Sequence, residues 1–363
     1  MSVIAYLEQR LGNICKRFSS GKGISANSIF EAGDYPVLGG NGLRGFTDTY
    51  NFDGECAVIG RQGAYCGNVQ FFAGKGYMTE HAIVAQPDDR NNAKYLTYKL
   101  AGLQLGRFSG QAAQPGLSVT KLARLRIEMP SKEYQDRVAS ILSTYDDLIE
   151  INNRRIKALE QMAENLYKEW FVRFRYPGHE TAEFEDGIPK GWEIVKVKEI
   201  VKRLPFGTLY KTEDTEKDGR VIVIDQSQSD YVGFHNNEPS HFATPLSPIA
   251  LFGDHSCKQQ LMITPFSLSE NIIPFKGKTG VNTVYLYYLT YGLIETTEYK
   301  RHWTEFIAKK VLLAPVELQE CFADKVTKIC EALQRRKEQN RNLIKQRDLL
   351  LPRLMSGKLE VHT

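Results

Sequence analysis

From Val138 onward, Leu142, Tyr145, Ile149, Asn152, Ile156, Leu159, Ala163, Leu166 and Trp170 recur at alternating steps of four and three. Only Asn152 breaks the apolar stripe. A stripe kept on one helix face for more than four such repeats is the seam of a coiled coil. The pattern returns 184 residues later as Phe322, Val326, Ile329, Leu333, Arg336, Asn340, Leu343, Arg347, Leu350 and Leu354, now with three polar members. A polar seam residue costs stability and fixes register and partner. Pro130-Ser131 and Pro315 suit the helix starts, and Pro352 and Gly357 the second helix end.

Before each helix the period changes. Short β-branched runs such as Cys56-Ala57-Val58-Ile59 and Val221-Ile222-Val223-Ile224 read as strands, and Gly, Pro and Asn/Asp punctuate them as turns. Tyr95–Leu103 and Val284–Gly292 read as matching short helices. The two starts align at a constant offset: Tyr6, Leu11 and Ile14 against Trp192, Val197 and Ile200, then Lys16-Arg17-Phe18 and Gly21 against Lys202-Arg203-Leu204 and Gly207. The chain is therefore written twice, as two α+β heads each feeding a long helix. The expected division is a first head over 1–130, a helix over 131–172, a linker over 173–191, a second head over 192–315, a second helix over 316–355 and a tail over 356–363. A parallel helix pair would force the linker to retrace about 60 Å, so the pair is expected antiparallel. A pseudo-two-fold molecule suits a target with two sites in a row, and duplex DNA is the leading candidate.

Charge adds little. The net is +4 over 363 residues, distributed as +4 in 1–130, −3 in 131–191, 0 in 192–315 and +3 in 316–363. A DNA reading must rest on local clusters, not on bulk charge. No apolar run approaches the roughly 20 residues of a membrane span, and the first 17 residues do not read as a signal peptide. The expected compartment is the cytoplasm. The six cysteines form no C-x-x-C and are expected reduced and mostly buried.

Two apparent nucleotide motifs fail. Gly40-Asn41-Gly42-Leu43-Arg44-Gly45 fits G-x-G-x-x-G, but Phe46–Asn51 after it does not read as a helix. Gly277-Lys278-Thr279 has Ile272 where a phosphate loop needs its first glycine. There is no N/D-P-P-Y/F methyltransferase signature, no acidic nuclease core and no metal-ligand spacing, so neither a catalytic nor a metal site is expected. The candidate chemistry is recognition. Arg61 and Gln62 stand on a glycine loop after a strand, suited to guanine and adenine edges. Asn41 and Arg44 lie on the preceding glycine turn, and Gln111 and Gln114 in the stretch 109–116. Gln226 and Lys258 are their counterparts in the second head. Lys16, Arg17, Lys202, Arg203, Lys276 and Lys278 are candidate phosphate contacts.

Several stretches in order resemble the specificity subunit of type I restriction–modification systems. Residues 35–46, 58–63 and 67–69 are similar to a first target-recognition domain, with 113–118 and Met129-Pro130 as its exit. Residues 135–142 and 166–171 resemble the central conserved helix, 187–192 the entry to a second recognition domain, and 349–357 the end of the distal helix. The resemblance implies two recognition domains separated by two antiparallel helices, in a chain that is not itself catalytic. It implies a bipartite asymmetric DNA site, two methyltransferase subunits, and restriction/translocase subunits. It implies that S-adenosylmethionine, ATP and Mg belong to those partners and none to this chain. The second head departs by lacking the Gly-Gly-Asn-Gly run, and the first by entering at Tyr6 rather than a Trp. The rival readings are a coiled-coil scaffold that binds proteins without DNA sequence preference, and an autonomous methyltransferase or nuclease.

Overall fold

The computed structural model describes residues 5–110, 116–227, 229–296, 298 and 300–359. The chain divides into two compact units, residues 1–151 with 340–363, and residues 152–339. Each long helix gives one half to each unit.

In the first unit, β1 (Leu7–Arg10), β2 (Cys15–Ser20), β3 (Tyr35–Gly39), β4 (Gly42–Thr47), β5 (Phe52–Gly60), β6 (Val69–Met78) and β7 (Ala82–Pro87) precede α1 (Ala93–Gly102) and α2 (Val119–Ala123). β8 (Arg126–Met129) then leads into α3 (Lys132–Tyr167). One six-stranded sheet runs β2-β7-β5-β6-β3-β4, and β1 pairs β8 separately. β6 and β7 both lie antiparallel to β5, yet only residues 79–81 join them. The β5–β6 ribbon must therefore fold over. Gly54 and Gly74 sit directly opposite each other, at φ +132° and +107°, where a side chain would strain the backbone. The fold encloses Phe52, Cys56, Val58, Met78, Ala82 and Val84. The other face of the sheet packs with α1 and the first half of α3 around Ile59, Tyr95, Leu96, Val138 and Leu142.

The linker holds a minimal hairpin of β9 (Phe184–Glu185) and β10 (Ile188–Pro189). The second unit repeats the first frame with β11 (Glu193–Lys196), α4 (Val197–Ile200), β12 (Val201–Arg203), β13 (Val221–Ile224), β14 (Gly233–His235), β15 (Ile249–Gly253), β16 (Gln259–Met262), β17 (Phe266–Leu268) and β18 (Ile272–Gly277). α5 (Thr283–Thr290), α6 (Trp303–Ala308), β19 (Lys310–Leu313) and α7 (Val316–Met355) complete it. The order β12-β18-β15-β16 reproduces β2-β7-β5-β6, and the pair β11-β19 reproduces β1-β8. The bend is made differently here. Pro265 cannot donate to a ladder, and the counterpart of β6 is broken into β16 and β17. A separate three-stranded sheet, β14-β13-β17, results.

α3 ends in a π-helical turn, Lys168–Val172. No seam position of either long helix is exposed. Both units show the pair to be antiparallel. In the first, Tyr134 donates to the Leu354 carbonyl at 2.8 Å and Arg347 to Asp146 at 2.7 Å. In the second, Tyr167 and Trp170 meet the Phe322 ring while Glu160, further back, feels Lys337. The polar seam member Arg347 is thus answered by Asp146. Burial pushes the Cys15 and Cys56 thiols up to about 12, which leaves them protonated and inert. Among the described residues, no helix is long and apolar enough to cross a membrane.

One alignment read from the sequence does not survive. β2 bulges between Cys15 and Arg17, so Arg17 pairs with Gln86 and Phe18 with Ala85. In the second unit Lys202 pairs with Lys276 and Arg203 with Phe275. Lys202 therefore occupies the place of Arg17, and Arg203 that of Phe18. Lys16 is the extra residue, so the repeated basic pair is not a repeated surface.

Candidate functional site

The ends of β2, β5 and β7 meet at Ser20, Gly60 and Ala82. The loop 61–68, the connection 79–81 and the β3–β4 turn gather there. Glycine sets how closely they approach. A Cβ on Gly60 would lie 2.5 Å from the Gly40 carbonyl oxygen and 2.4 Å from that of Tyr65. Gly67, at φ +87°, lies against the Gly106 backbone, where a Cβ would come within 2.1 Å of its nitrogen. The Arg61 N–H donates to the His81 carbonyl, and the Leu117 N–H to the Arg61 carbonyl.

On this platform Asn41 and Gln62 are exposed. The Gln62 side-chain oxygen is 3.0 Å from His81 Nδ1, which leaves the amide NH2 as a donor. Gln62 also bridges to Gly116. Arg61 is not the free guanidinium expected on a tight loop. It is half-buried, one terminal nitrogen donates to the Glu80 carbonyl at 3.4 Å, and its Nε is buried with no partner among the described residues. Arg44 is exposed beside the turn, its stem lying over Gly39, where a Cβ would meet Cδ at 2.7 Å. Gln111 and Gln114 lie outside the described residues. Sequence reasoning missed His81, Glu80 and Tyr65. Tyr65 is 53% exposed on the same loop, and its aromatic face beside Arg61-Gln62 was the available signal.

The second unit builds the same end from different chemistry. Gly253 takes the place of Gly60, and the loop 254–258 that of 61–68. Where Arg61 donates its N–H to His81, Asp254 donates its N–H to the Asn271 carbonyl at 2.8 Å. The Asp254 carboxylate accepts from the N–H groups of His302 and Trp303 and fixes the start of α6. An open cleft of about 570 Å³ is lined by Asp225, Gln226, Ser227, His255, Thr296 and Glu298. Gln226 accepts from the His255 N–H at 3.2 Å, again leaving an amide NH2 as donor. Lys258 turns back to the Ser229 carbonyl, and burial holds its ammonium below the usual lysine range.

Six basic candidates lie further along these sheets. Lys16 is exposed and pairs loosely with Asp89 at 3.7 Å. Arg17 donates to the Asn51 carbonyl and covers the Phe52 ring, so it is committed to the fold. Lys276 donates to Ser247, and Lys278 to the Lys198 carbonyl. Lys202 is exposed directly opposite Lys276. Arg203 lies one pair further along, exposed over the Phe206 ring.

Residues 6–161 match the family described as "Type I restriction modification DNA specificity domain". A specificity subunit of the EcoprrI type I restriction enzyme of Escherichia coli is 42% identical over 142 residues, which span 38% of this chain and 35% of that protein. The MjaIX specificity subunit of Methanocaldococcus jannaschii is 29% identical over 317 residues, spanning 76% of this chain and 71% of that one. The crystal structure of a type I S subunit from M. genitalium shares the fold along 100% of this chain and 98% of its own length, with a TM-score of 0.65 at 16% identity. With a matched DNA specificity domain over residues 6–161, a duplicated frame and an antiparallel helix pair, the chain is similar to the type I restriction–modification specificity subunits.

Proposed function

We propose that this chain reads two separated stretches of one DNA duplex, one with each head, and holds them at a spacing that it sets. One observation carries the reading. Each unit places an amide, Gln62 or Gln226, on the loops at one end of its sheet, with the side-chain oxygen engaged and the NH2 left as a donor. Amides on a rigid platform suit base edges, where paired donors and acceptors distinguish one base from another. The heads differ in the length and make-up of the matching loops, 61–68 against 254–258, so they would read unlike half-sites and the whole site would be asymmetric. The lysines further down the sheets, Lys16, Lys202, Lys276 and Lys278, would contribute phosphate contact, which adds affinity without sequence information.

In this reading the chain performs no chemistry. Two methyltransferase subunits bind it and carry S-adenosylmethionine, and restriction/translocase subunits bring ATP and Mg. The test is to map methylated bases in the source strain, then measure binding of the reconstituted assembly to that duplex and to a scrambled one across a salt series. The expected result is preference for the mapped duplex that persists at moderate salt. Equal, strongly salt-sensitive binding to both would overturn it in favour of a protein-binding scaffold, since non-specific binding is mostly phosphate contact.

A further inference from the structure

The same buried device joins head to helix in both units. Gln135 is 1% exposed and Gln319 is 0% exposed. Each lies in the first turn of its long helix, 184 residues apart like the two seams. In the first unit, Gln135 Oε1 accepts from the Asn92 backbone N–H at 2.9 Å. Its Nε2 donates to the Pro130 carbonyl at 2.9 Å and to Asn91 Oδ1 at 3.0 Å. In the second unit, Gln319 Oε1 accepts from the Asn282 N–H at 2.9 Å, and its Nε2 donates to the Ala314 carbonyl at 2.7 Å. Asn92 and Asn282 are the N-caps of α1 and α5. Their side-chain amides reach the next helix residue, Asp136 at 2.7 Å and Glu320 at 3.1 Å. One amide therefore ties together three elements: the helix on the head, the strand leaving the head, and the long helix.

The repetition is informative because the surroundings are not repeated. Tyr98 donates to Asp146 in the first unit, whereas Tyr288 at the matching place meets Cys330. The loops differ in length and charge, yet the latch keeps its connectivity. A buried amide with its donors and acceptor used has one geometry, and a buried apolar contact tolerates several. We infer that Gln135 and Gln319 are positioning residues, which hold each head at a fixed angle to its long helix and so help set the permitted spacer between half-sites. This rests on the proposed DNA reading. One base pair of spacer adds about 3.4 Å and about a tenth of a helical turn between half-sites. A head fixed to its helix cannot follow that change, and a head that rocks can.

Two measurements on the full chain test it, with Gln135→Met and Gln319→Met removing the polar groups at similar size. Gln135→Asn and Gln319→Asn are milder variants that keep a neutral amide but shorten its reach, should the first pair fail to fold. In the first measurement, spin labels join each head to its own helix, at Leu43→Cys with Leu148→Cys and at Leu246→Cys with Lys328→Cys, in a background lacking the native cysteines. Narrow distance distributions in the parent should broaden in the variants. In the second, the assembly with methyltransferase subunits is offered its mapped site and sites one base pair longer or shorter. The preference for the mapped spacer should fall about tenfold in the variants, a loss on the scale of one mismatched pair, while base preference within each half-site stays. A structural role alone would lower the melting temperature and total binding and leave both the distributions and the spacer ratio unchanged, which would overturn the inference. If the parent assembly shows no sequence preference, the DNA reading fails, and the label distances still decide whether the latch fixes the head.

Discussion

The two heads share a frame and diverge at its fringe. In the first, the β5–β6 ribbon folds over an opposed glycine pair, Gly54 and Gly74, and the sheet stays whole at six strands. In the second, Pro265 interrupts the same ribbon and the sheet divides into four strands and three. The loop after the central strand has eight residues in one, 61–68, and five in the other, 254–258. What stays fixed is the pairing of four strands and the amide latch to the long helix. Loops held on a constant frame can change what they recognise without altering how the frame is mounted.

The comparison can be broken position by position, with hydrogen exchange on the full chain reporting each unit separately. The largest difference is expected at Gly67 and its counterpart Cys257. Gly67→Ala places a Cβ 2.1 Å from the Gly106 nitrogen at a positive φ, which combines overpacking with left-handed strain at about 3–5 kcal/mol. Cys257 already holds φ +56° as a non-glycine. Cys257→Gly should shift the second unit by no more than about 1 kcal/mol, because relieved strain and added unfolded-state freedom nearly cancel.

Next come Gly60 and Gly253. A Cβ at Gly60 meets two carbonyl oxygens, whereas at Gly253 its nearest contact is the Ser256 hydroxyl at 2.5 Å, which can rotate away. Gly60→Ala should cost about 2–3 kcal/mol and Gly253→Ala less than about 1 kcal/mol. Equal costs would mean that the two loops are not mounted on equivalent strands.

Smaller again is the contrast between Asp146 and Cys330, the helix positions facing Tyr98 and Tyr288. Asp146→Ala leaves Arg347 and Tyr98 without their shared acceptor, at about 1–3 kcal/mol. Cys330→Ala removes packing and the weak thiol partner of Tyr288 and should cost about 1 kcal/mol.

The mildest lever is pH, and it acts on one unit. His235 is buried in the β14-β13-β17 sheet, stacked on Tyr210, with Nδ1 accepting from the Asn237 N–H and Nε2 bonded to Ser267. His241 is stacked on Phe266. Burial lowers the pKa of both. The unfolded chain then binds more protons, so stability should decline as pH falls below about 6.5, with the loss complete only below the folded-state values. Exchange in this sheet should quicken between pH 7 and 5, ahead of exchange in the first unit. Simultaneous acid loosening of both units would count against the assignment.

Much of this architecture was legible because its signals are local. A heptad seam is written within one helix, and it gave both long helices without reference to anything they touch. Turn glycines and β-branched runs placed the central strands, the short helices Tyr95–Leu103 and Val284–Gly292 appear as α1 and α5, and ordered motifs carried the family resemblance. The site was legible only in part. Gln62 is exposed on its loop and Gln226 lines the second cleft, but Arg61, read as a free guanidinium, is bonded inward to Glu80. Lys16-Arg17 matched Lys202-Arg203 by offset, and the bulge at Lys16 broke the match.

Residue order along the chain fixed which segments would be helices and strands, since that depends on side chains a few positions apart. It could not fix which residues face each other across a ladder. Lys202 opposite Lys276, the cleft at Asp225 and His255, and the clasp of Gln135 on Asn92 each join segments tens of residues apart. Their geometry exists only once packing has chosen a register, and a single bulge or proline can shift that choice.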